Sequence, residues 1–507
     1  MANTINIPRP HLIMGLCLPL AVLIGYFLAE PMDSGSLAVI VMIMAVLFVP
    51  IMMKWYHVLL VVSWNASINP QFLPGRPFLW MIMAMGGLLF AILNRSVNPQ
   101  RKFVWVPTIN RPLFFLVAVV LGTAFITGGI GVRSLGSDRY GGKGYFFILA
   151  AVLGYFAFTS QRIPAHRANF FVALFFLSSL TALLGNVIYK AGPAFYFLYN
   201  LVPPENALDQ ASGENAMTVT IVRLGGLNMA STGLYAYLMA RFGVRGVLDV
   251  TKPVRFGLFL LALIGCFYCG YRSVLILFVI TFICGFSLEG LWRTRVLPML
   301  IGAGLLAMAL IAPQAHRLPW VVQRTLSFLP IKIDQVVRDN ADASTEWRLE
   351  MWRNVMPQVP KYFFKGKGFS LDPNDLFMAN KSAVIALEGA AAGAAVAGDY
   401  HNGPLSVIIP FGIWGVIAFG WFIYACGRVL RHHQRFGDPR LRSVNTFLFA
   451  FFIAKVTFFI VIYGSFWSDL CSFTGLIGLS ISLNGAPRTV VEPVTDEEIL
   501  NPFSQTV

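Results

Sequence analysis

Long apolar runs separated by short polar breaks make up most of this chain. Fourteen of them could cross about 30 Å of hydrocarbon if short or tilted crossings are counted. They lie at residues 12–29, 36–53, 55–68, 78–93, 113–127, 145–160, 170–189, 224–240, 256–269, 273–288, 296–313, 404–426, 444–463 and 467–483. Since the third run is short and the break at Gly270 is tight, the pattern predicts an all-α polytopic transmembrane bundle of about 12–14 spans.

Two polar stretches are too long to be simple connectors. One covers residues 190–223, and the other covers 314–403. The second is far longer than an ordinary loop and predicts a folded cap. We therefore divide the chain into transmembrane helices 1–11 at 1–313, a cap loop with amphipathic helices at 314–403, transmembrane helices 12–14 at 404–483 and a tail at 484–507.

One segment of the predicted cap has helical periodicity. Ser344 or Thr345 can cap the start of a helix in which Trp347, Met351 and Val355 recur at i, i+4 and i+8. The spacing predicts an amphipathic helix. Its apolar stripe either packs on the membrane domain or lies at the membrane interface.

Composition and charge agree with a membrane protein and bear on its orientation. The 507 residues are 57% hydrophobic and only 12% charged, whereas a soluble chain has about 25% charged residues. If the N-terminus is cytoplasmic, the inner loops hold most of the Lys and Arg residues, as the positive-inside rule requires. We therefore expect both termini in the cytoplasm and the cap on the outer face. The net charge of +15 then reflects orientation and contact with anionic lipids, not nucleic-acid binding.

Metal and cofactor motifs are missing from the sequence. The six cysteines lie in apolar stretches, where packing is the expected role. Cys266 and Cys269 are one helical turn apart, but no His or second Cys pair lies near them in sequence. No AspxAsp, Walker-type or GlyxSerxGly motif occurs either. We expect neither a metal nor a cofactor.

The boundary between the cap and the next apolar run carries candidate chemistry. Pro404 suits the first turn of a helix, and Asn402 or Gly403 can cap it. His401 then lies at the positive end of a helix dipole, which disfavours imidazolium and leaves the ring able to accept a proton at about pH 7. The alternative is an interfacial histidine that only caps or anchors the helix.

Two arginines lie on the same outer face as His401. Arg272 sits in a tight hairpin with no acidic residue within ten positions, and Arg223 precedes a helix whose first glycines allow another backbone or a ligand to approach. Guanidinium groups bind phosphate oxygens bidentately, so this combination suggests a diphosphate site beside a proton acceptor. Each arginine could instead be anchored at the level of the lipid headgroups.

Several short motifs occur in an order that is typical of one family. Those motifs are ArgLeuGlyGlyLeuAsn at Arg223, TyrArgSer at Tyr271, ArgLeuGluMetTrp at Arg348, LysGlyLysGlyPhe at Lys365, HisAsnGlyProLeu at His401 and PheGlyIleTrpGly at Phe411. In order, spacing and sidedness they resemble the bacterial O-antigen ligase and O-antigen (exopolysaccharide) polymerase superfamily. The resemblance covers most of the chain between residues 220 and 425.

The resemblance implies an inverting, metal-independent membrane glycosyltransferase of the C type, acting on the periplasmic face of the bacterial inner membrane. Such an enzyme moves a glycan from undecaprenyl diphosphate to an acceptor hydroxyl during surface polysaccharide assembly. Residue by residue, Arg223 and Arg272 would hold the diphosphate, and His401 would be the general base. Further candidates for support of the site are Arg348, Asn402, Tyr271 and Asp399.

Other classes of function stay open at this level. A flippase or transporter of lipid-linked sugars also has many spans and buried charges, and Lys455 lies in the middle of a predicted span. A flippase, however, needs no large cap that ends in a histidine. A structural scaffold of an envelope complex is a third class. Within the family, the acceptor can be another lipid-linked repeat, a lipid A core or a protein side chain, and the sequence identifies no chain-length or export partner.

Overall fold

The computed structural model describes residues 22, 25, 34–73, 75–98, 100, 103–128, 142–214, 221–369, 398 and 400–487. No strand occurs within these ranges, which confirms the all-α class. The α-helices are α1 (Ser34–Ser63), α2 (Leu79–Val97), α3 (Pro107–Thr127), α4 (Gly142–Phe158), α5 (Ala168–Leu177), α6 (Leu183–Ala191), α7 (Glu205–Glu214), α8 (Gly225–Val247), α9 (Pro253–Tyr268), α10 (Arg272–Leu288), α11 (Val296–Ile311), α12 (Trp320–Thr325), α13 (Gln335–Val355), α14 (Gln358–Tyr362), α15 (Gly403–Phe436), α16 (Arg442–Val461) and α17 (Phe466–Asn484). Short 3-10 helices lie at Ala165–Arg167, Ser178–Ala182, Pro193–Asn200, Leu291–Arg293, Ala312–Arg317 and Pro439–Leu441.

Many of these helices are suited to a bilayer. Within the described residues, seven helical segments are long and apolar enough to cross a membrane, and four shorter helices are apolar as well. Helices satisfy their backbone polar groups internally, so they are one of the two structures that can span hydrocarbon. The structure therefore confirms a polytopic helical bundle. The partition into membrane helices, cap and tail stays a prediction.

The predicted spans at 36–53 and 55–68 are in fact one helix, so this part of the prediction is wrong. Helix α1 runs without interruption through Pro50 and Lys54. A single lysine does not require a loop, because an exposed side chain can extend along the helix to reach the polar interface. The merger removes one of the fourteen predicted crossings, and the cytoplasmic location of both termini stays a prediction. The predicted span at 12–29 lies outside the described residues.

The membrane helices pack closely around Trp64. Helix α4 packs against α17, and both approach the Trp64 indole, whose Nε1 donates to the Cys471 carbonyl at 3.1 Å. A Cβ atom added at Gly154 on α4 or Gly475 on α17 would overlap the indole ring. Small residues thus allow these helices to approach one another, as in other membrane bundles.

The cap segment, which we define as residues 318–369, contains a longer helix than the sequence predicts. Neither Ser344 nor Thr345 caps α13. The helix begins at Gln335, ten residues upstream of Thr345, and the Asp334 carboxylate caps it by accepting from the Val336 N–H at 3.0 Å. The sequence argument began where the apolar stripe begins, whereas the first half of the helix is polar.

The apolar stripe of α13 packs on the membrane bundle, as one of the two predicted arrangements requires. Met351 and Val355 are buried in one cluster with Tyr400 and Leu405 at the start of α15. In addition, the Trp352 Nε1 donates to the Tyr400 carbonyl at 2.9 Å. The cap segment is therefore fixed directly against the region that carries His401.

Helix α15 is interrupted, and the cap segment provides hydrogen-bond partners for the backbone groups at the interruption. Gly412 has φ 62° and interrupts the helix two residues after Pro410. The Pro410 carbonyl then accepts from the Gly368 N–H at 2.9 Å, and the Ile413 N–H donates to the Phe363 carbonyl at 2.7 Å. Backbone polar groups freed within a membrane helix need such partners. The motifs at Lys365 and Phe411 thus form one backbone junction.

We expect Gly366→Ala to destabilise this junction. Gly366 has φ 75°, and an added Cβ would overlap the Pro410 carbonyl oxygen. A non-glycine residue in this conformation costs about 1–2 kcal/mol, and a steric overlap about 1–3 kcal/mol more. The thermal midpoint of the purified protein in detergent should fall clearly. Gly302→Ala is the matched control, since a Cβ there meets nothing within 4 Å. Equal midpoints for the two variants would contradict this account.

Candidate active site

One side of the site is formed by the segments just before α8 and α10, which are joined by a backbone hydrogen bond. The α9–α10 turn has Gly270 at φ 76°, and its Cys269 carbonyl accepts from the Leu224 N–H at 3.1 Å. This bond places Arg223, just before α8, next to Tyr271, just before α10. The Arg223 Cζ atom lies 6.0 Å from the centroid of the Tyr271 ring. Two motifs that begin at Arg223 and at Tyr271, far apart in sequence, thus form one surface.

Tyr271 also contacts α7. Its hydroxyl donates to Asp209 Oδ2 at 3.2 Å. Burial and the Asp209 charge raise the pKa of Tyr271 to about 12. The phenol is therefore protonated near neutral pH and can act as a hydrogen-bond donor.

Arg272 has a different environment from the other predicted arginines. Its Nη2 donates to the Ala341 carbonyl at 2.9 Å and to Thr345 Oγ1 at 3.4 Å, both on α13. It is not among the residues that line the cavity described below. In this arrangement Arg272 attaches the cap segment to the α9–α10 turn, and its predicted role in holding a diphosphate stays a prediction.

Arg324 is a residue of this region that sequence reasoning missed. Its side chain is only 3% exposed. Its Nη1 donates to the Gly270 carbonyl, and its Nε donates to Asn340 Oδ1 at 2.9 Å. Burial and the nearby guanidinium groups of Arg223 and Arg272 lower the pKa of Arg324 to about 9. Arg324 thus stabilises the turn that precedes Tyr271. No motif in the sequence indicated this role of Arg324.

His401 is held in an unusual conformation between two aromatic rings. Its backbone has φ 47°, a left-handed value that costs a non-glycine residue about 1 kcal/mol or more. Its imidazole centroid lies 5.1 Å from the ring of Trp347 on α13 and 4.9 Å from that of Tyr463, which follows α16. The cap segment and the membrane bundle therefore both contact this imidazole.

Asn402 caps the helix that follows His401. Its Oδ1 accepts from the Leu405 N–H at 3.1 Å, and Pro404 lies in the first turn of α15, as predicted from the sequence. Capping of this kind satisfies a helix N–H that would otherwise have no partner. His401 accordingly immediately precedes the N-terminal end of α15. Asp399 lies outside the described residues.

A single cavity brings the remaining predicted residues together. It has a volume of about 560 Å³, within the range of roughly 300–1,000 Å³ that is common for small-ligand sites. Arg223, Tyr271, Arg348 and His401 all line it, and so does Lys455 on α16. The arrangement combines hydrogen-bond donors, guanidinium groups and an imidazole in one cavity.

The cationic groups at this end of the cavity repel one another. Burial and Arg223 lower the pKa of Arg348, and Arg348 in turn adds to the lowering of the pKa of Arg324. Close like charges that are partly buried are stabilised when an anion binds between them. An oxyanion with several charges is the ligand that best fits this potential. No group of three or more His, Cys, Asp or Glu side chains that could hold a metal occurs among the described residues.

Fold and site together define a multi-pass membrane protein with a cationic cavity beside a histidine. A family model described as O-Antigen ligase matches residues 257–420. This match confirms the resemblance to the O-antigen ligase and polymerase superfamily and supports glycosyl transfer of this general type. The matched range contains Arg272, Arg348 and His401, while Arg223 precedes it. No curated protein matches the chain.

Proposed function

We propose that this protein transfers a glycan from undecaprenyl diphosphate to an acceptor hydroxyl, as a polysaccharide ligase or polymerase. The observation that carries the proposal is the cavity in which Arg223, Arg348 and His401 meet. A diphosphate is an activated leaving group, and the guanidinium groups match its charge and geometry. On this proposal the cavity opens to the periplasmic face of the inner membrane, where lipid-linked glycans are assembled.

The reaction on this proposal is a single displacement. The imidazole of His401 removes the proton of the acceptor hydroxyl, and the resulting oxygen attacks the anomeric carbon of the donor sugar. A new carbon–oxygen bond forms as the bond to the diphosphate oxygen breaks, and the diphosphate leaves with the electron pair. Attack from the face opposite the leaving group inverts the anomeric configuration.

The arginines have a separate part in this step. Negative charge develops on the bridging oxygen as the diphosphate leaves, and Arg223 and Arg348 line the cavity where that charge would form. Donors that are fixed before the reaction stabilise such charge without reorganising. Positive charge that the protein already holds can supply this stabilisation, so the proposal requires no divalent metal.

A transfer reaction with defined components tests the proposal. Purified protein, a synthetic undecaprenyl-diphosphate glycan and a glycan acceptor are combined with a chelator and without ATP. We expect a new glycosidic bond with inverted configuration, detected by mass spectrometry and NMR. A flippase would instead move the labelled donor between leaflets of a vesicle and leave every glycosidic bond unchanged. That outcome, or the absence of product with every acceptor tested, would overturn the proposal.

A further inference from the structure

The cavity extends beyond the arginines into the membrane bundle. Asn228 and Thr232 on α8, Ser472 on α17 and Lys455 on α16 line this inner part. Lys455 lies six residues before Val461, the last residue of α16, which puts its backbone roughly 9 Å below the outer end of the helix. We call these four residues the inner polar group. They belong to three different helices, and all border the same space as His401.

Lys455 has an unsatisfied charge within the described part of the chain. No ion pair or hydrogen bond of its ammonium group is formed there. Asp469 lines the same cavity, but its Oδ2 accepts from the Ser465 N–H at 2.8 Å, at the start of α17. An ammonium at membrane depth is costly unless it faces a polar cavity or a partner. No ion pair between Lys455 and Asp469 is formed among the described residues, so an anionic group of a bound ligand can pair with this ammonium.

We propose that the inner polar group is a binding site for an acidic sugar, whose carboxylate pairs with Lys455. The proposal rests on the proposed function and specifies its substrate: at least one sugar of the transferred or accepting glycan carries a carboxylate, as a hexuronic acid does. The Asn228 amide and the Thr232 and Ser472 hydroxyls can each donate and accept hydrogen bonds, which suits sugar hydroxyl groups.

Two other occupants fit this part of the cavity less well. The diphosphate is matched by the guanidinium groups of Arg223 and Arg348, and Thr232 lies seven residues into α8, roughly 10 Å further inward than Arg223 by helix rise. A polyprenyl chain would bury an ammonium and three polar side chains against hydrocarbon, which is unfavourable. A hydroxylated ligand with one localised negative charge satisfies all four groups.

Matched substrates test this inference. Glucuronate and glucose differ at C6, so donors and acceptors are made in both forms and all four combinations are assayed with the full-length protein. One of the two substrates, donor or acceptor, occupies the inner polar group. For the unmodified protein we expect the KM of that substrate to be lower when it carries the carboxylate. The four combinations show whether that substrate is the donor or the acceptor. Lys455→Met should reduce this preference about ten- to hundredfold, the effect of losing a charged hydrogen bond.

Lys54→Met is the control, since Lys54 is an exposed lysine of another membrane helix. It should retain the preference for the acidic sugar. Lys455→Met should also be at least as thermally stable as the unmodified protein, because it removes an unpaired charge. A clear loss of stability would instead indicate a structural ion pair and would overturn the inference, as would an unchanged preference in Lys455→Met.

A binding measurement separates this inference from the proposed function. The melting temperature is recorded with a soluble glucuronate oligosaccharide and with the matching glucose oligosaccharide. We expect only the acidic oligosaccharide to raise it, and Lys455→Met to abolish the rise. If no glycan is transferred in any combination, the proposed function fails while this measurement still decides the acidic-sugar site. If transfer occurs but neither assay distinguishes the acid from the neutral sugar, only the acidic-sugar site fails.

Discussion

Replacement of His401 by alanine should lower kcat for glycosyl transfer by about 10²–10⁴-fold, the contribution of a positioned general base. The imidazole lines the cavity with the arginines and is held between Trp347 and Tyr463. KM for the lipid-linked donor should change little, because the proposed function assigns the diphosphate contacts to other residues. Initial rates at several donor concentrations separate the two parameters.

Two further variants make this result specific. His401→Gln retains a polar side chain of similar size but cannot accept a proton at neutral pH, so it should be as inactive as His401→Ala. His432→Ala changes a histidine near the opposite end of α15 and should retain activity. Substantial activity of His401→Gln would show that the imidazole only shapes the site, and the assignment of a general base would be abandoned.

Part of this site was predictable because its signals are local in sequence. Asn402 and Pro404 indicate the start of a helix, because capping and the fixed φ of proline involve only neighbouring residues. The apolar stripe of α13 likewise follows helical periodicity, but the periodicity left open whether the stripe packs on the bundle or lies at the membrane interface. The structure shows that it packs against Tyr400. Apolar runs similarly indicate membrane helices, since spanning length and hydrophobicity are local properties.

Other features depend on partners that are distant in sequence. Arg324 is important because its guanidinium reaches the Gly270 carbonyl, more than fifty residues away. Arg272 has donors that match a diphosphate, yet the fold directs one of them to the Ala341 carbonyl. Lys54 was predicted to interrupt a helix, but whether a lysine ends a span depends on what surrounds it. A linear pattern contains none of these relations.

The bonds made by Arg272 and Arg324 have a consequence for the whole cavity. Both attach the cap segment to the α9–α10 turn, and helix α13 of that segment carries Arg348 and Trp347. Arg348 and Trp347 therefore keep their positions relative to Arg223 and His401 only while the cap segment is docked. The cavity is thus assembled from two parts of the chain, and Arg272 and Arg324 fix the distance between them.

The second large effect concerns the arginines that line the cavity. We expect Arg223→Gln and Arg348→Gln each to lower kcat by about 10²–10³-fold, as the loss of one donor to a developing oxyanion does. Lysine at either position should restore only part of the activity, because an ammonium cannot bind two phosphate oxygens in the fork geometry of a guanidinium. Arg431→Gln, at an exposed position on α15, is the matched control and should keep full activity.

Anion binding gives these two arginines a test that is independent of turnover. Burial and mutual repulsion lower the pKa of Arg348, so a bound diphosphate should stabilise the folded protein. Inorganic pyrophosphate should therefore raise the melting temperature of the unmodified protein. At a concentration ten times its Kd, the added free energy of unfolding is about 1.4 kcal/mol. The rise should shrink with added salt and be strongly reduced in Arg223→Gln and Arg348→Gln, while Arg431→Gln retains it. If pyrophosphate raises the melting temperature of both cavity variants as much as that of the unmodified protein, the diphosphate binds elsewhere. Removal of either guanidinium charge must weaken the binding of a polyanion that lies between the two.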